Sequence, residues 1–380
     1  MKCKNINQKI AILTLYYHNY NYGGLLQAYA LQKAITDLGY QAEQISYKLE
    51  SGYDGWNPIK ASIKKPVAYL YHRAKYGKWF DQYTVRRKKF EAFAEIIPHT
   101  EVVTAQTISE LSNQFDCFVC GSDQIWNPIG WQPTLFFDFL AGDKKRISYA
   151  ASIARDELTE EEYDFMKPYL DKFSAISVRE KKSADMLNRK FPKLNVQAVP
   201  DPVFLLTEEE WRTLIPKVNE NKVPYIFAYF LGGNKENRQN AIQYAEDRKL
   251  KIRFASYLDY TQSGWDKKHS ELLASPMGVE EFLQSIANAE LVLTDSFHAA
   301  AFSSILKTPF YALPRFKMQD RNSMNSRILN LVQELEIPER YTDKLDAQYG
   351  WRESERKNIE SNLLRMKNCG LDYLQKVLYE

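Results

Sequence analysis

Short apolar runs alternate with longer amphipathic stretches along the whole chain. Polar or glycine-rich turns bound the runs, and the stretch at residues 23–38 has helical spacing and stops at Gly39. Strands that alternate with helices are typical of parallel sheets in α/β proteins. The predicted strands are residues 10–15, 42–47, 116–120, 147–151, 175–178, 196–199, 225–231, 252–256, 291–294 and 310–313.

A proline-rich connector divides this pattern into two halves. Residues 199–203 read Val-Pro-Asp-Pro-Val, and two prolines favour an extended segment. We therefore predict one α/β domain over residues 1–200 and a second over 201–352. Residues 353–380 are predicted to form a charged amphipathic helix that packs back.

Residues 60–90 differ in composition from the rest of the first half. They contain ten Lys or Arg and a single acid, Asp81, with aromatic residues between them. Such a segment suits an anionic membrane surface or a phosphate-bearing acceptor, and single-stranded nucleic acid would also suit it. The alternative is a solvated helical insertion whose aromatic side chains face the core.

Bulk properties exclude several classes of protein. A net charge of +3 over 380 residues gives no reason to expect a nucleic-acid partner. Cys117 and Cys120 lie three apart in a predicted strand and so point to opposite faces, which favours core cysteines over a redox or metal pair. We expect no metal and no cofactor. The polar residues 1–7 and the lack of a long apolar run predict a cytoplasmic protein.

Polar residues follow the strand at 291–294, at the point where a helix begins. They are Asp295, Ser296 and His298. Because open α/β sheets bind ligands at the carboxyl ends of their strands, these residues are candidates for a site. Asp295 and Ser296 would also serve as helix caps, but a capped turn does not need an imidazole.

Four other strand ends carry similar groups. Glycines allow close backbone approach and helix N-termini favour anions, while an Arg can clamp a carboxylate or phosphate. Tight turns, caps, a core Trp and a weak surface Arg–Glu pair are the alternatives. In chain order the candidates are His18, Asn19, Asn21, Gly23 and Gly24; Asp123, Gln124 and Trp126, whose ring would stack on a sugar; Arg179; and Gly232, Gly233 and Asn234.

Taken together, four stretches resemble the polysaccharide pyruvyl transferase family over about residues 10–340. They are residues 19–31, 121–127, 176–180 and 294–298. The resemblance implies two Rossmann-like domains with parallel sheets in a GT-B-like arrangement. It also implies a transferase that moves the pyruvyl group of phosphoenolpyruvate onto hydroxyls of a cell-surface polysaccharide or lipid-linked sugar, forming a pyruvate ketal.

The resemblance also implies roles for individual residues. Arg179 matches the donor-binding Arg of the family, and His298 matches its donor-site His. Many members read Asp-Arg-x-His where this chain has Ser296 as the second residue. We expect Arg315, Lys317 or Arg321 to supply the missing positive charge; otherwise the donor is different.

For the chemistry, His298 is the candidate acid, since imidazole exchanges protons near neutral pH. Asp123 is the candidate base and Asp295 is expected to orient His298. In GT-B proteins the second domain mainly holds the donor, here with Ser296 and the 232–234 turn, and the first domain mainly holds the acceptor. A lipid-linked acceptor would bring residues 60–90 to the inner face of the membrane.

Two other functions stay open. A GT-B glycosyltransferase would use a nucleotide sugar, but such enzymes usually carry a carboxylate in the helix that follows residues 291–294, and residues 299–307 contain no Asp or Glu. The third possibility is a non-catalytic protein that binds glycans or lipid phosphates.

Overall fold

A computed structural model describes residues 8–49, 65–217, 223–256, 264–315, 325–345 and 349–379. Its first sheet contains four parallel strands in the order β2-β1-β3-β4. Parallel bridges at Ile147–Ala175 and Ala151–Val178 join it to a two-stranded parallel sheet, β5-β6. The strands are β1 (Lys9–Leu13), β2 (Gln41–Gln44), β3 (Cys117–Cys120), β4 (Lys145–Ser148), β5 (Ser177–Val178) and β6 (Gln197–Ala198).

The second sheet contains four parallel strands in the order β10-β9-β7-β8. They are β7 (Tyr225–Tyr229), β8 (Lys251–Phe254), β9 (Leu291–Thr294) and β10 (Phe310–Ala312). All residues of β7, β9 and β10 are buried, as expected for parallel strands covered by helices on both faces. The predicted α/β class with parallel sheets is therefore confirmed.

Helices connect the strands and cover the sheets. The first half contains α1 (Tyr22–Asp37), α2 (Lys65–Tyr76), α3 (Lys78–Glu95), α4 (Glu160–Leu170) and α5 (Lys181–Lys190). The second half contains α6 (Glu208–Arg212), α7 (Lys235–Asp247), α8 (Gly264–Lys268), α9 (Val279–Ala287), α10 (Phe297–Ile305), α11 (Ser326–Glu334) and α12 (Glu353–Tyr379). No helix within the described ranges is both long and apolar enough to span a bilayer.

Cys117 and Cys120 are buried core residues, as expected. They belong to two different apolar clusters, one on each face of β3. Burial raises the pKa of both thiols. A buried thiol with a raised pKa is a poor nucleophile, so a redox pair is not supported.

One apolar cluster is shared by the two sheets. It contains Tyr22 and Phe90 from the first half together with Tyr229 and Phe282 from the second. The ring of Tyr22 stacks on Phe282 with centroids 4.2 Å apart, and its hydroxyl donates to Met277 O over 3.2 Å. The carboxyl ends of both sheets are thereby held next to each other.

Helix α12 returns to the first sheet. Leu374 and Val377 pack in the same cluster as Ile12, and the Tyr373 hydroxyl donates to Ser148 O over 2.9 Å. The predicted boundaries near residues 200 and 352 stay predictions, because these contacts do not test where a domain ends.

The basic segment at residues 60–90 forms α2 and most of α3, while residues 60–64 lie outside the described ranges. On α3, Phe80 and Tyr83 are buried, and Arg86 Nη1 donates to Ser256 O over 3.2 Å. On α2, Tyr71 is 58% exposed. The two helices therefore differ, since α3 packs against the body of the protein and α2 presents side chains to solvent.

Candidate functional site

His298 lies where the two sheets meet. It occupies the first turn of α10, directly after β9, and is 8% exposed. A Cβ atom placed on Gly23, in the first turn of α1, would lie only 2.0 Å from His298 Nδ1. Only a glycine at this position lets the imidazole approach the helix backbone so closely. The contact joins a strand end of the first sheet to a strand end of the second.

The carboxylate beside His298 is Asp201, from the proline-rich connector. Asp201 Oδ2 lies 3.6 Å from His298 Nε2, which is an ion-pair distance and too long for a hydrogen bond. Burial alone would raise the pKa of Asp201, but His298 and the Arg179 guanidinium outweigh it and hold this pKa well below its usual range. Asp201 is therefore an anion at neutral pH, although its side chain is fully buried.

Arg179 connects Asp201 to a second carboxylate. Its Nη1 donates to Asp201 Oδ2 over 2.7 Å, and its Nε donates to Glu180 Oε1 over 3.2 Å. The guanidinium lies 4.8 Å from the ring centre of Phe297. Burial would lower the pKa of Arg179, but the charges of Glu180, Asp201 and Asp123 raise it overall. The pair with Glu180 is therefore buried, and the exposed surface pair that we considered as an alternative is wrong.

Asp295 does not orient His298, contrary to our expectation. Its carboxylate accepts hydrogen bonds from the backbone N–H groups of Leu231, over 2.6 Å, and Gly232, over 2.8 Å. Arg315 Nη2 donates to Asp295 O over 2.7 Å and lies 3.5 Å from Asp295 Oδ1. Asp295 thus fixes the turn after β7 and the side chain of Arg315.

Arg327 lies close enough to Arg179 and Arg315 to be repelled by both, and we call these three residues the arginine group. Burial, followed by the positive charges of Arg179 and Arg315, lowers the pKa of Arg327 to about 10. Asp123 and Glu180 act in the opposite direction. The lowered pKa of Arg327 shows that its surroundings disfavour its positive charge, which an anionic ligand would relieve. Of the expected replacements for the family's Arg, Arg315 belongs to this group, while Lys317 and Arg321 lie outside the described residues.

The turn after β3 brings only one of its three candidates to this cluster. Asp123 is half-buried and its charge acts on Arg179 and Arg327. Gln124 Oε1 accepts from Asn127 Nδ2 over 2.9 Å within its own turn. Trp126 is 0% exposed and stacks on Phe136. Because both ring faces lie in the core, this burial argues against the expectation that Trp126 stacks on a sugar.

Several other candidates shape helix starts. Asn21 accepts from the N–H groups of Gly23 and Gly24, and Asn234 caps α7 through Glu236 and Asn237. Ser296 Oγ accepts from Ala299 N over 3.5 Å, so the residue that departs from the family pattern is the cap of α10. A Cβ on Gly233 would meet no atom within 4 Å, which leaves its backbone open.

His18 and Asn19 line a separate cavity, called here the Tyr17 cavity. Its volume is about 380 Å³ and its walls include Tyr16, Tyr17, His18, Asn19, Tyr20, Glu91, Glu95 and Glu101. The Asn19 amide also contacts the position of Gly24, next to Gly23 and hence to His298. The cavity thus adjoins the cluster around His298.

The sequence reasoning missed Asp201, Arg327 and Glu180 as site residues. Asp201 was interpreted only as part of a connector, although an acid between two prolines is an unusual residue to bury. Glu180 follows Arg179 directly and was considered only as its surface partner. Arg327 lies after a polar stretch with no distinctive pattern, so no local signal pointed to it.

Known structures with the same overall architecture confirm the GT-B-like arrangement. UDP-GlcNAc 2-epimerase from Neisseria meningitidis bound to UDP-GlcNAc has 9% identity and a TM-score of 0.51, covering 98% of this chain and 100% of its own. UDP-GlcNAc 2-epimerase from Methanocaldococcus jannaschii has 11% identity and a TM-score of 0.50, with coverage of 98% and 100%. At this identity the similarity concerns the fold alone.

The family follows from the sequence itself. None of the curated proteins matches the chain. The model of the family described as "Polysaccharide pyruvyl transferase" matches residues 21–315, which is more than half of the chain and includes Gly23, Asp123, Arg179, Asp201, His298 and Arg315. The chain therefore belongs to the polysaccharide pyruvyl transferase family, and it is a transferase.

Proposed function

We propose that the protein transfers the pyruvyl group of phosphoenolpyruvate to two hydroxyls of a surface-polysaccharide or lipid-linked sugar. The observation that carries this proposal is the contact of His298 with buried Asp201 beside the arginine group. An imidazole next to several arginine side chains suits a donor with a carboxylate, a phosphate and a carbon that must be protonated.

The reaction assigns a task to each group. A proton from His298 goes to the methylene carbon of the donor, which becomes a methyl group. The two sugar oxygens form bonds to the neighbouring carbon, the bond from that carbon to the phosphate oxygen breaks, and inorganic phosphate leaves. One hydroxyl proton restores His298 and the other leaves with phosphate. Asp123, half-buried and near Arg179, is the candidate base for the first hydroxyl.

Asp201 and the arginines prepare the site for this step. Asp201 lies 3.6 Å from the imidazole and helps to hold the ring over Gly23. Arg179 Nη2 is buried without a hydrogen-bond partner among the described residues, although its other two nitrogens are paired, and it is therefore the atom we assign to the donor. Arg315 and Arg327 add positive charge, which replaces the Arg that other members carry at the position of Ser296.

The nucleotide-sugar alternative has less support. Helix α10, residues Phe-His-Ala-Ala-Ala-Phe-Ser-Ser-Ile, has no carboxylate that would hold a ribose diol. We also propose a peripheral contact with the inner membrane surface through α2, where Arg73 and Lys75 are exposed beside Leu70, which is 64% exposed.

A thermal-shift experiment with Arg327→Met tests the donor assignment. Phosphoenolpyruvate should raise the melting temperature of the wild type, and a UDP-sugar should not. Removing Arg327 relieves repulsion within the arginine group, so the free variant should be as stable as the wild type yet lose about tenfold in donor affinity. Exposed Arg189→Gln is the matched control. A response to UDP-sugar and none to phosphoenolpyruvate would reject the proposal.

A further inference from the structure

The Tyr17 cavity has a lining that the proposed chemistry does not use. Its volume of about 380 Å³ lies within the range of small-molecule pockets, roughly 300–1,000 Å³. Its wall includes residues 16–20, which connect β1 to α1, and Gly23 follows them in the first turn of α1. A ligand in this cavity would therefore lie beside the cluster that holds the donor.

Flat aromatic rings form one part of its wall. Tyr17 and His18 stack with centroids 4.1 Å apart and an interplanar angle of 17°, and His18 and Tyr20 are 6.5 Å apart at 15°. The positive backbone φ of His18, 53°, turns this exposed ring between the two tyrosines. Polarised C–H bonds on one face of a pyranose ring suit the electron-rich face of such rings.

Carboxylates form another part of the wall. Glu91, Glu95 and Glu101 line the cavity, and among its described lining residues none is Lys or Arg. Arg87, beside the wall, pairs with Glu91 over 2.8 Å, so the proposal relies on Glu95 and Glu101. Burial raises the pKa of the Tyr17 phenol, and the negative charges of Glu95 and Glu91 raise it further. Carboxylate oxygens accept hydrogen bonds from neutral hydroxyls, whereas they repel a ligand that carries its own carboxylate or phosphate.

We propose that the Tyr17 cavity binds an uncharged hexopyranose unit of the acceptor, with its ring face on Tyr17 and its hydroxyls on Glu95 and Glu101. This rests on the proposed function, and it adds that the sugar held here is not a uronic acid or a sugar phosphate. The charge pattern divides the site: the arginine group takes the anionic donor and the acidic cavity takes the neutral acceptor.

Binding of simple glycosides without donor tests this assignment. Wild-type protein is titrated with methyl hexopyranosides of gluco, galacto and manno configuration and with the matching methyl hexuronides, and binding is followed by saturation-transfer NMR. At least one neutral glycoside should bind in the millimolar range, and its hexuronide should bind about fivefold more weakly or worse.

Two variants and a control locate the binding. Tyr17→Ala should weaken binding of the neutral glycoside about tenfold. The double variant Glu95→Gln, Glu101→Gln should lose most of the preference for the neutral glycoside over the hexuronide. Exposed Glu157→Gln should change neither. Equal or tighter binding of hexuronides by the wild type, unchanged binding in both variants, or no glycoside binding at all would each overturn the assignment.

The donor test is independent of this one. If neutral glycosides bind as described and phosphoenolpyruvate does not, the proposed pyruvyl transfer is wrong and the sugar site is still supported. Binding of phosphoenolpyruvate without any glycoside would do the reverse.

Discussion

Asp201 is the residue on which the others around His298 depend. It is fully buried, it pairs with Arg179 over 2.7 Å, and it lies 3.6 Å from His298. Removing one member of a buried ion pair leaves the other charge uncompensated, which lowers the free energy of unfolding by about 3–5 kcal/mol. Its burial in a proline-bounded connector therefore makes it both a structural and a positioning residue.

We expect Asp201→Asn to fold less stably and to lose turnover, because Arg179 loses its buried anion and His298 its orienting charge. The loss of unfolding free energy at neutral pH should be about 3 kcal/mol. Exposed Asp171→Asn, which breaks a surface pair with Lys167, should cost less than about 1 kcal/mol.

The same variant has a defined pH dependence. Since the folded-state pKa of Asp201 is lowered, its stabilisation is fully present above the ordinary carboxyl pKa of about 3.9 and is lost as the pH falls below that value. Denaturant unfolding should therefore show a constant difference between wild type and Asp201→Asn from about pH 7 to 5. The difference should shrink below about pH 4. A difference that grows on acidification would contradict the ion-pair role.

Gly23 tests the position of the imidazole separately from its charge. Alanine favours a helix by up to about 1 kcal/mol relative to glycine, but here its Cβ would overlap His298 Nδ1. We expect Gly23→Ala to displace the ring and lower turnover at least about tenfold. Gly350→Ala, whose Cβ would meet no atom within 4 Å, is the control. Unchanged turnover in Gly23→Ala would show that the ring position is not critical.

At the scale of elements, α2 and α3 have separate tasks. Arg86 and Lys89 of α3 donate to Ser256 O and Pro276 O in the second half of the chain. Changing α3 would therefore disturb the contact between the two halves. The exposed cations of α2 do not have this constraint.

We expect vesicle binding to depend on α2. Wild type should sediment with anionic vesicles at low salt and be released at high salt, since each basic residue near the surface adds about 1 kcal/mol that salt screens. Changing Arg73 and Lys75 to Ser should weaken sedimentation, while Lys190→Ser on α5 should not. Wild type that ignores anionic vesicles at low salt would indicate a soluble acceptor.

The elements themselves could be predicted closely from the sequence. The apolar run at 291–294 matches β9 residue for residue, and the amphipathic stretch predicted at 353–380 begins with α12 (Glu353–Tyr379). The predicted strand ends at Tyr47 and Leu231 lie beyond β2 and β7. Tyr47 forms only an isolated bridge with Val103, and the Leu231 N–H donates to the Asp295 side chain and not to a neighbouring strand. Local periodicity therefore reveals the layers and the edge where ligands bind.

The partners within the site could not be predicted in the same way. His298 and Arg179 were found because each follows a strand, but Asp201 meets them only through the packing of one half on the other. The resemblance did not point to Arg327. Its lowered pKa depends on charged residues from three different parts of the chain, which only the folded structure brings together. Trp126 was misplaced because an aromatic residue after a strand can face either the core or the edge.

At the scale of the whole molecule, the two sheets contribute different residues to the candidate site. The second sheet supplies His298, Asp295 and Arg315, and the first supplies Gly23, Arg179 and the Tyr17 cavity. The shared apolar cluster around Tyr22 and Phe282 holds these halves together. We therefore expect donor and acceptor to meet at the contact between the two strand edges.

The most direct test follows the donor through one turnover in heavy water. Wild-type protein incubated with phosphoenolpyruvate and the bound methyl hexopyranoside should release inorganic phosphate and form a pyruvate ketal whose methyl group carries deuterium, as detected by mass spectrometry. His298→Ala should fold normally and form no ketal. Phosphate release and a deuterated ketal that persist in His298→Ala, or UDP release from a UDP-sugar with no ketal in the wild type, would contradict the central claim.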